Sequence, residues 1–526
     1  MLRTSIGLRV FFPSLCLMFL TLSGMAQQEE VIYHVVQRSF YDSNGDRHGD
    51  LNGLRNKLPY LQELGVTSIL MLPLYRSVYY HNYFAEDFET IDPEFGTMDD
   101  YLSLVREIHR LGMKVYMDME TQYVTEDHLW YRDSYKNPKS QYSDYLVYNG
   151  PGNTEPENII FNLDGLEGYD GTYKKITTVN LNSPAVLQYN IDLFRHWTDP
   201  NGDGNFEDGV DGFRLDHMMD DLDNKGKFTD LFEKFWTPLI AAVKAVNPNI
   251  VFIAEQADWS DSGKDYLTRG HVDKVFAFNL MTAIASFDAG NIQGAAGKSF
   301  AVCEQQRQQI VFLENHDTDR FASLVASDPG KLRAGAAMNL LIGGTPLIYY
   351  GQELGMQGKG GFGMFGNTDG NDIPRREAFE WDPVSDAQGM ATWYQDSGPW
   401  WDQTNLKDRD GLSLHEERDN PASLYTTYRR LLALRKKYPA LIDGKSASIS
   451  GKNGSVLTFS RINADQSLIV MINLTGEEQE TELSLNQVSP DLTAARVVHG
   501  GGLARLEDGV FTLSLPAYEA VVVLLR

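Results

Sequence analysis

The chain has almost no cysteine, with two in 526 residues. Cys16 lies inside an apolar N-terminal stretch and Cys303 stands alone once that stretch is removed, so no intrachain disulfide can staple the fold. Internal repeats, single-sign charge runs and low-complexity tracts are also missing, which excludes solenoid, fibrous and disordered classes. Bases are scarce beside acids: 46 Lys and Arg against 72 Asp and Glu leave a net charge of −26. Such a surface repels phosphate backbones, and nucleic acid is excluded as an expected partner.

What is present describes a globular chain with a large core, 42% hydrophobic and 22% charged. Arg3 and Arg9 precede an apolar stretch from Val10 to Leu22, then Ser23-Gly24-Met25-Ala26 leads into Gln27-Gln28-Glu29-Glu30. This pattern predicts a signal peptide over residues 1–26, cleaved after Ala26, and hence a secreted or periplasmic protein. The apolar core is too short to span a bilayer comfortably, so no transmembrane segment is expected in the mature chain. Oligomeric state is not readable.

Eight β-rich runs follow, at 31–40, 67–73, 114–119, 212–216, 250–255, 274–280, 310–317 and 346–353. Amphipathic stretches such as 98–112 and 184–197 separate them. That alternation predicts an α/β chain, a (β/α)8 TIM barrel over 27–119 and 179–440. Residues 120–178, rich in Tyr, Asn, Asp and Gly, break the alternation and read as an inserted excursion domain. Past 440, short alternating runs at 455–461, 467–474, 480–485 and 510–524 predict a C-terminal antiparallel β-sandwich over 441–526. Several barrel runs end in ionisable residues, namely Asp118, Asp216, Glu255, His316-Asp317 and Glu353. Active sites of such barrels sit at the C-terminal strand ends, where these side chains converge.

Three of those endings carry a family resemblance. Gly212-Phe213-Arg214-Leu215-Asp216, Phe252-Ile253-Ala254-Glu255 and Phe312-Leu313-Glu314-Asn315-His316-Asp317 fall, in this order, on the fourth, fifth and seventh strands. Val179-Asn180-Leu181-Asn182-Ser183-Pro184, Ile91-Asp92-Pro93-Glu94-Phe95-Gly96-Thr97, Gly344-Thr345-Pro346 and Tyr349-Tyr350-Gly351 add supporting matches. Over the whole chain after the signal, the sequence resembles the α-amylase superfamily, glycoside hydrolase family 13. The resemblance implies a retaining α-glycosidase acting on starch, maltodextrins or related α-glucans.

Retention needs one carboxylate to attack the anomeric carbon and one carboxylic acid to protonate the leaving oxygen, about 5–5.5 Å apart. The resemblance makes Asp216 the nucleophile, Glu255 the acid and base, and Asp317 the third carboxylate, which distorts the sugar. Arg214, two residues before Asp216 on the same strand face, holds that carboxylate ionised. His316 donates to the same sugar, and Tyr83 of His81-Asn82-Tyr83 stacks beneath it. Tyr75, Tyr79, Tyr80 and Trp130 either extend that surface or pack the loops. Arg376, in Arg376-Glu377-Ala378-Phe379-Glu380-Trp381, either reaches the sugar or braces its loop; Ala378 stands where Pro is usual.

The third strand departs from the family. It usually ends Asp-x-x-x-Asn-His, whereas this chain reads Asp118-Met119-Glu120-Thr121-Gln122-Tyr123. The missing His implies that Tyr123 contacts the sugar with altered specificity, and the missing Asn removes a usual calcium ligand. Two other loops suggest structural calcium through oxygen ligands at alternate positions. The stronger is Asp42, Asn44, Asp46, His48 (by its carbonyl) and Asp50, which also matches a family calcium loop; the weaker is Asp199, Asn201 and Asp203. Asx turns are the alternative for both.

Endo-acting α-amylase is the expected activity. An exo-acting α-glucosidase or a transglycosylase is the enzyme alternative, and a non-catalytic α-glucan-binding protein is the alternative of another class.

Overall fold

The computed structural model describes residues 29–157, 163–303, 307–401, 405–449, 453–485 and 494–526. The expected signal peptide lies outside the described residues. No helix among them is long and apolar enough to cross a membrane.

Eight parallel strands close a barrel: β1 (Ile32–Val35), β2 (Ser68–Met71), β3 (Lys114–Met119), β4 (Gly212–Leu215), β5 (Val251–Ala254), β6 (Lys274–Phe276), β7 (Gln308–Val311) and β8 (Thr345–Tyr349). Each pairs with its neighbours in chain order, and β8 closes on β1. All eight runs expected from the sequence supply a strand, and each strand is shorter than most of the runs. The 310–317 run leaves the sheet at Val311, so His316 and Asp317 ride on a loop. The 274–280 run turns into the helix Phe278–Ala285, and the 346–353 run ends in turns after Tyr349.

Ile32, Leu70, Tyr116, Ile253, Phe276, Ile310 and Leu347 meet inside the barrel in one buried cluster. Gly212 makes room there: a Cβ would stand 2.9 Å from the Tyr116 ring. The floor is closed by polar groups, with Lys274 Nζ donating to Glu30 (2.6 Å), Thr345 (2.9 Å) and Gln308 (3.1 Å). Tyr116 also donates to Glu30. Burial pushes the Glu30 carboxyl up, but the charge and hydrogen bond of Lys274 outweigh it and hold the group at about 2.

Helices pack outside. Met98–Arg110 opens on a Thr97/Asp100 capping box, and Pro184 sits in the first turn of Pro184–Thr198. Between β3 and β4 the chain makes a small antiparallel sheet from Tyr123–Thr125, Tyr173–Thr178 and Gly165–Glu167, with a short helix at Leu129–Ser134.

After Asp443 two antiparallel sheets form. Lys445–Ser448, Val456–Ile462, Ser467–Asn473, Ala520–Leu525 and Ala495–His499 make one, and Gln479–Ser484, Val510–Leu515 and Leu503–Glu507 the other. Their facing sides bury Ile469, Met471, Val521 and Val523 against Leu483, Phe511 and Leu513. The 510–524 run is two strands, separated by a turn at Pro516–Glu519.

Candidate active site

Strand register sets the first contact of the site. β3 pairs with β4 so that Asp118 lies opposite Arg214. Nη1 of Arg214 donates to both Asp118 oxygens (2.8 and 2.9 Å) and to Asp216, while Nη2 donates to Glu255 (2.7 Å). One guanidinium thus joins three carboxyls. It is buried, at 1% side-chain exposure, while Asp216 (18%), Glu255 (13%) and Asp317 (31%) retain access from the cleft.

Asp216 and Glu255 directly follow β4 and β5, where the chain leaves the sheet. The Asp216 N–H still donates to Met119 (3.0 Å) and the Glu255 N–H to Leu215 (3.1 Å), so both backbones stay tied to neighbouring strands. Burial raises the Glu255 proton affinity, and the charges of Asp216 and Asp317 add to it against Arg214, bringing the group to about 8. Burial likewise lifts Asp118 to about 7 and Asp317 to about 6, with Arg214 opposing in both.

Asp317 is held from two sides. Arg376 Nη2 donates to it (3.1 Å), and His316 Nε2 lies 3.0 Å from its other oxygen. The remaining Arg376 donors reach the His316 carbonyl (2.9 Å) and the Tyr80 hydroxyl (3.0 Å). Arg376 is therefore a brace for the third carboxylate. Tyr83 stacks on His316 (5.5 Å between centroids, 10°) and its hydroxyl donates to Asp118 (2.7 Å). Burial and the nearby cations Arg376 and Arg214 keep His316 neutral.

The departure at the end of β3 has a local explanation. The Gln122 amide donates to the carbonyls of Asp216 (2.8 Å) and His217 (3.2 Å), while its own oxygen accepts from Thr121 (2.8 Å). The longer side chain ties β3 to the loop carrying Asp216. Tyr123 is fully buried, and its hydroxyl donates to Asp223 (2.7 Å), which also holds His217 Nε2 (2.8 Å). The Tyr123 hydroxyl is thus committed to Asp223, which His217 shares, two residues that the sequence motifs did not single out.

Other expected residues lie apart. Glu353 is buried behind β8 and accepts from Tyr33 (2.7 Å) and Tyr60, away from the carboxylate cluster. Tyr75, Tyr79, Tyr80 and Trp130 are buried and pack the loops. On the loop after β5, a half-exposed Trp259 stacks on Phe278 (4.4 Å, 4°), an aromatic shelf that no motif announced.

In the first oxygen-rich loop Asp42 accepts from the N–H groups of Asn44 (3.0 Å), Gly45 (2.7 Å) and Arg47 (2.9 Å). Asn44 accepts from Asp46, Asp46 from His48, and Asp50 caps the helix Leu51–Leu64 through Gly53. In the second, Asp199 accepts from Asp203 and Gly204, Asn201 from Asp203, and Asp203 from Asn205. These are Asx turns and a cap. Among the described residues no three His, Cys, Asp or Glu side chains are grouped to hold a metal.

A closed parallel barrel with three carboxyls ringed around a buried arginine at its C-terminal strand ends defines a TIM-barrel glycoside hydrolase. The alpha-amylase catalytic-domain model matches residues 34–444, and the chain belongs to that family. Residues 456–522 match the C-terminal domain of the alpha-amylase SusG. Alpha-amylase 3 of Dictyoglomus thermophilum is 29% identical over 456 residues, 84% of each chain. A trehalose synthase/amylase of Mycobacterium tuberculosis is 27% identical over 551 residues, 93% of this chain and 88% of that one. The crystal structure of an alpha-amylase from H. orenii superposes with a TM-score of 0.78 at 26% identity, covering 95% of this chain and 99% of that one.

Proposed function

We propose that this chain is a secreted, retaining, endo-acting α-amylase. The observation that carries the reading is Arg214 bridging Asp216 and Glu255, with burial raising the proton affinity of Glu255. A charge-neutralised Asp216 beside a protonated Glu255 is the pair that retaining hydrolysis needs. Asp216 attacks the anomeric carbon as Glu255 gives its proton to the departing glycosidic oxygen. Glu255 then takes a proton from water, whose oxygen displaces Asp216 from the sugar. Asp317, held by Arg376 and His316, accepts hydrogen bonds from ring hydroxyls, and Tyr83 and Trp259 offer apolar faces to sugar C–H groups.

Endo action is supported by the amylase relatives and by the match to the SusG C-terminal domain. A product time course on soluble starch, maltoheptaose, isomaltose and pullulan tests it. Early mixed-length maltodextrins from starch are expected. Glucose alone from chain ends would instead mean an α-glucosidase, rearranged sugars a transglycosylase, and tight binding without product a glucan-binding protein.

Calcium at the Asp42–Asp50 loop belongs to the same proposal, in a structural role. The supporting feature is the donor chemistry of Asp42, Asn44, Asp46, the His48 carbonyl and Asp50, and no catalytic step passes through the ion. Chelator is expected to lower the melting temperature, and an unchanged melting curve would remove the ion from the loop. The Asp199–Asp203 loop is tested by the same titration after Asp42→Ala.

A further inference from the structure

Glu120 stands where β3 leaves the sheet and its side chain is buried, at 1% exposure. Oε1 accepts the Gln122 N–H at 2.5 Å, but Oε2 has no donor among its neighbours. The Glu120 side chain lies within hydrogen-bonding reach of the Asp216 carboxyl, and two acceptors cannot bond without a proton between them. The other groups facing Glu120 are the Asp223 carboxyl and the hydroxyls of Tyr75 and Tyr123. Arg214 contacts Asp216 through Nη1, which also reaches Asp118, while Nη2 reaches Glu255. Burial favours the proton on Glu120.

We propose that Glu120 is a neutral carboxylic acid that donates through Oε2 to Asp216 and so positions the attacking carboxylate. This rests on the reading of Asp216 as nucleophile. The hydrogen bond fixes the Asp216 rotamer during attack. It also stabilises the carboxylate that is released when water cleaves the glycosyl-enzyme, so it favours the second half of the reaction. The third carboxyl of the usual set, Asp317, is separate from this pair and stays free to meet the sugar.

Two variants test it in the full-length mature chain. Glu120→Gln keeps a donor of the same shape, and Glu120→Leu removes it. Infrared difference spectra, wild type minus Glu120→Gln at neutral pH, are expected to carry the carbonyl stretch of a protonated carboxyl. A difference containing only carboxylate bands would overturn the proposal. For kcat/KM on α-maltosyl fluoride, Glu120→Leu is expected to lose about 10- to 100-fold, with Glu120→Gln about tenfold better than Glu120→Leu. Equal losses in the two variants would also overturn it. A wild type that hydrolyses no glucan sinks the glycosidase reading while leaving the infrared result to decide the proton on Glu120.

Discussion

Asp118 and Arg214 form an ion pair with side-chain exposures of 0% and 1%, and β-sheet register places them opposite one another. The pair anchors a guanidinium whose other donors reach Asp216 and Glu255, so the geometry of the cleft is inherited from the barrel wall. Desolvating three carboxyls around one cation is costly unless its geometry is fixed, and two paired strands fix it.

Arg214→Lys tests that anchor. A lysine is a point charge and cannot fork between three carboxyls. We expect kcat to fall at least about 100-fold and stability to drop by about 3–5 kcal/mol, as Asp118 loses its partner. Thermal melts alongside starch hydrolysis measure both, and wild-type turnover in a well-folded variant would deny the anchor.

Asp216→Asn is expected to abolish turnover of starch and of α-maltosyl fluoride alike. Glu255→Gln is expected to lose starch hydrolysis by about 100-fold or more yet keep glycosyl transfer from the fluoride to azide, because fluoride leaves without a proton. The reverse pattern would exchange the two roles.

The pH profile follows from Glu255. Its carboxyl is raised from 4.5 to about 8, mainly by burial, and must enter the reaction protonated. Activity is expected to persist through neutrality and to fall as pH rises through about 8. A limb near the ordinary carboxylate range, measured as kcat/KM on maltoheptaose, would contradict the assignment.

Glu353 makes a separate prediction about stability. Burial raises it from 4.5 to about 7 against the hydrogen bonds of Tyr60 and Tyr33. The folded state therefore binds this proton more tightly than the unfolded chain, and stability falls as pH rises from 4.5 through about 7. Glu353→Gln is expected to remove up to about 3 kcal/mol of that decline. Parallel denaturant curves at pH 5 and pH 8 for both proteins check it: the same pH dependence in each would place the cost elsewhere.

Much of the architecture is legible in the chain because a parallel barrel buries both faces of every strand, and runs such as residues 69–71 are apolar throughout. The three carboxylates are legible because each sits in a local motif beside its strand end. Glu120, Asp223 and His217 were not, since each acts through a partner 94 or more residues away or within a tight local loop that no spacing rule describes. Tyr123 shows the same limit: its position matched the family's sugar contact, but its hydroxyl had a nearer acceptor in Asp223. Arg376 was left between two roles by its motif, and three hydrogen bonds decide for the brace.

The barrel floor carries a lesson for anyone making the protein. Lys274 is neutralised from below by Glu30, a residue that arrives from the N-terminal tail and not from the barrel itself. Displacing that plug would leave the Lys274 ammonium facing the neutral oxygens of Thr345 and Gln308 in place of a carboxylate. A flexible spacer between an affinity tag and Glu29, or a tag moved to the other end of the chain, keeps the stopper seated.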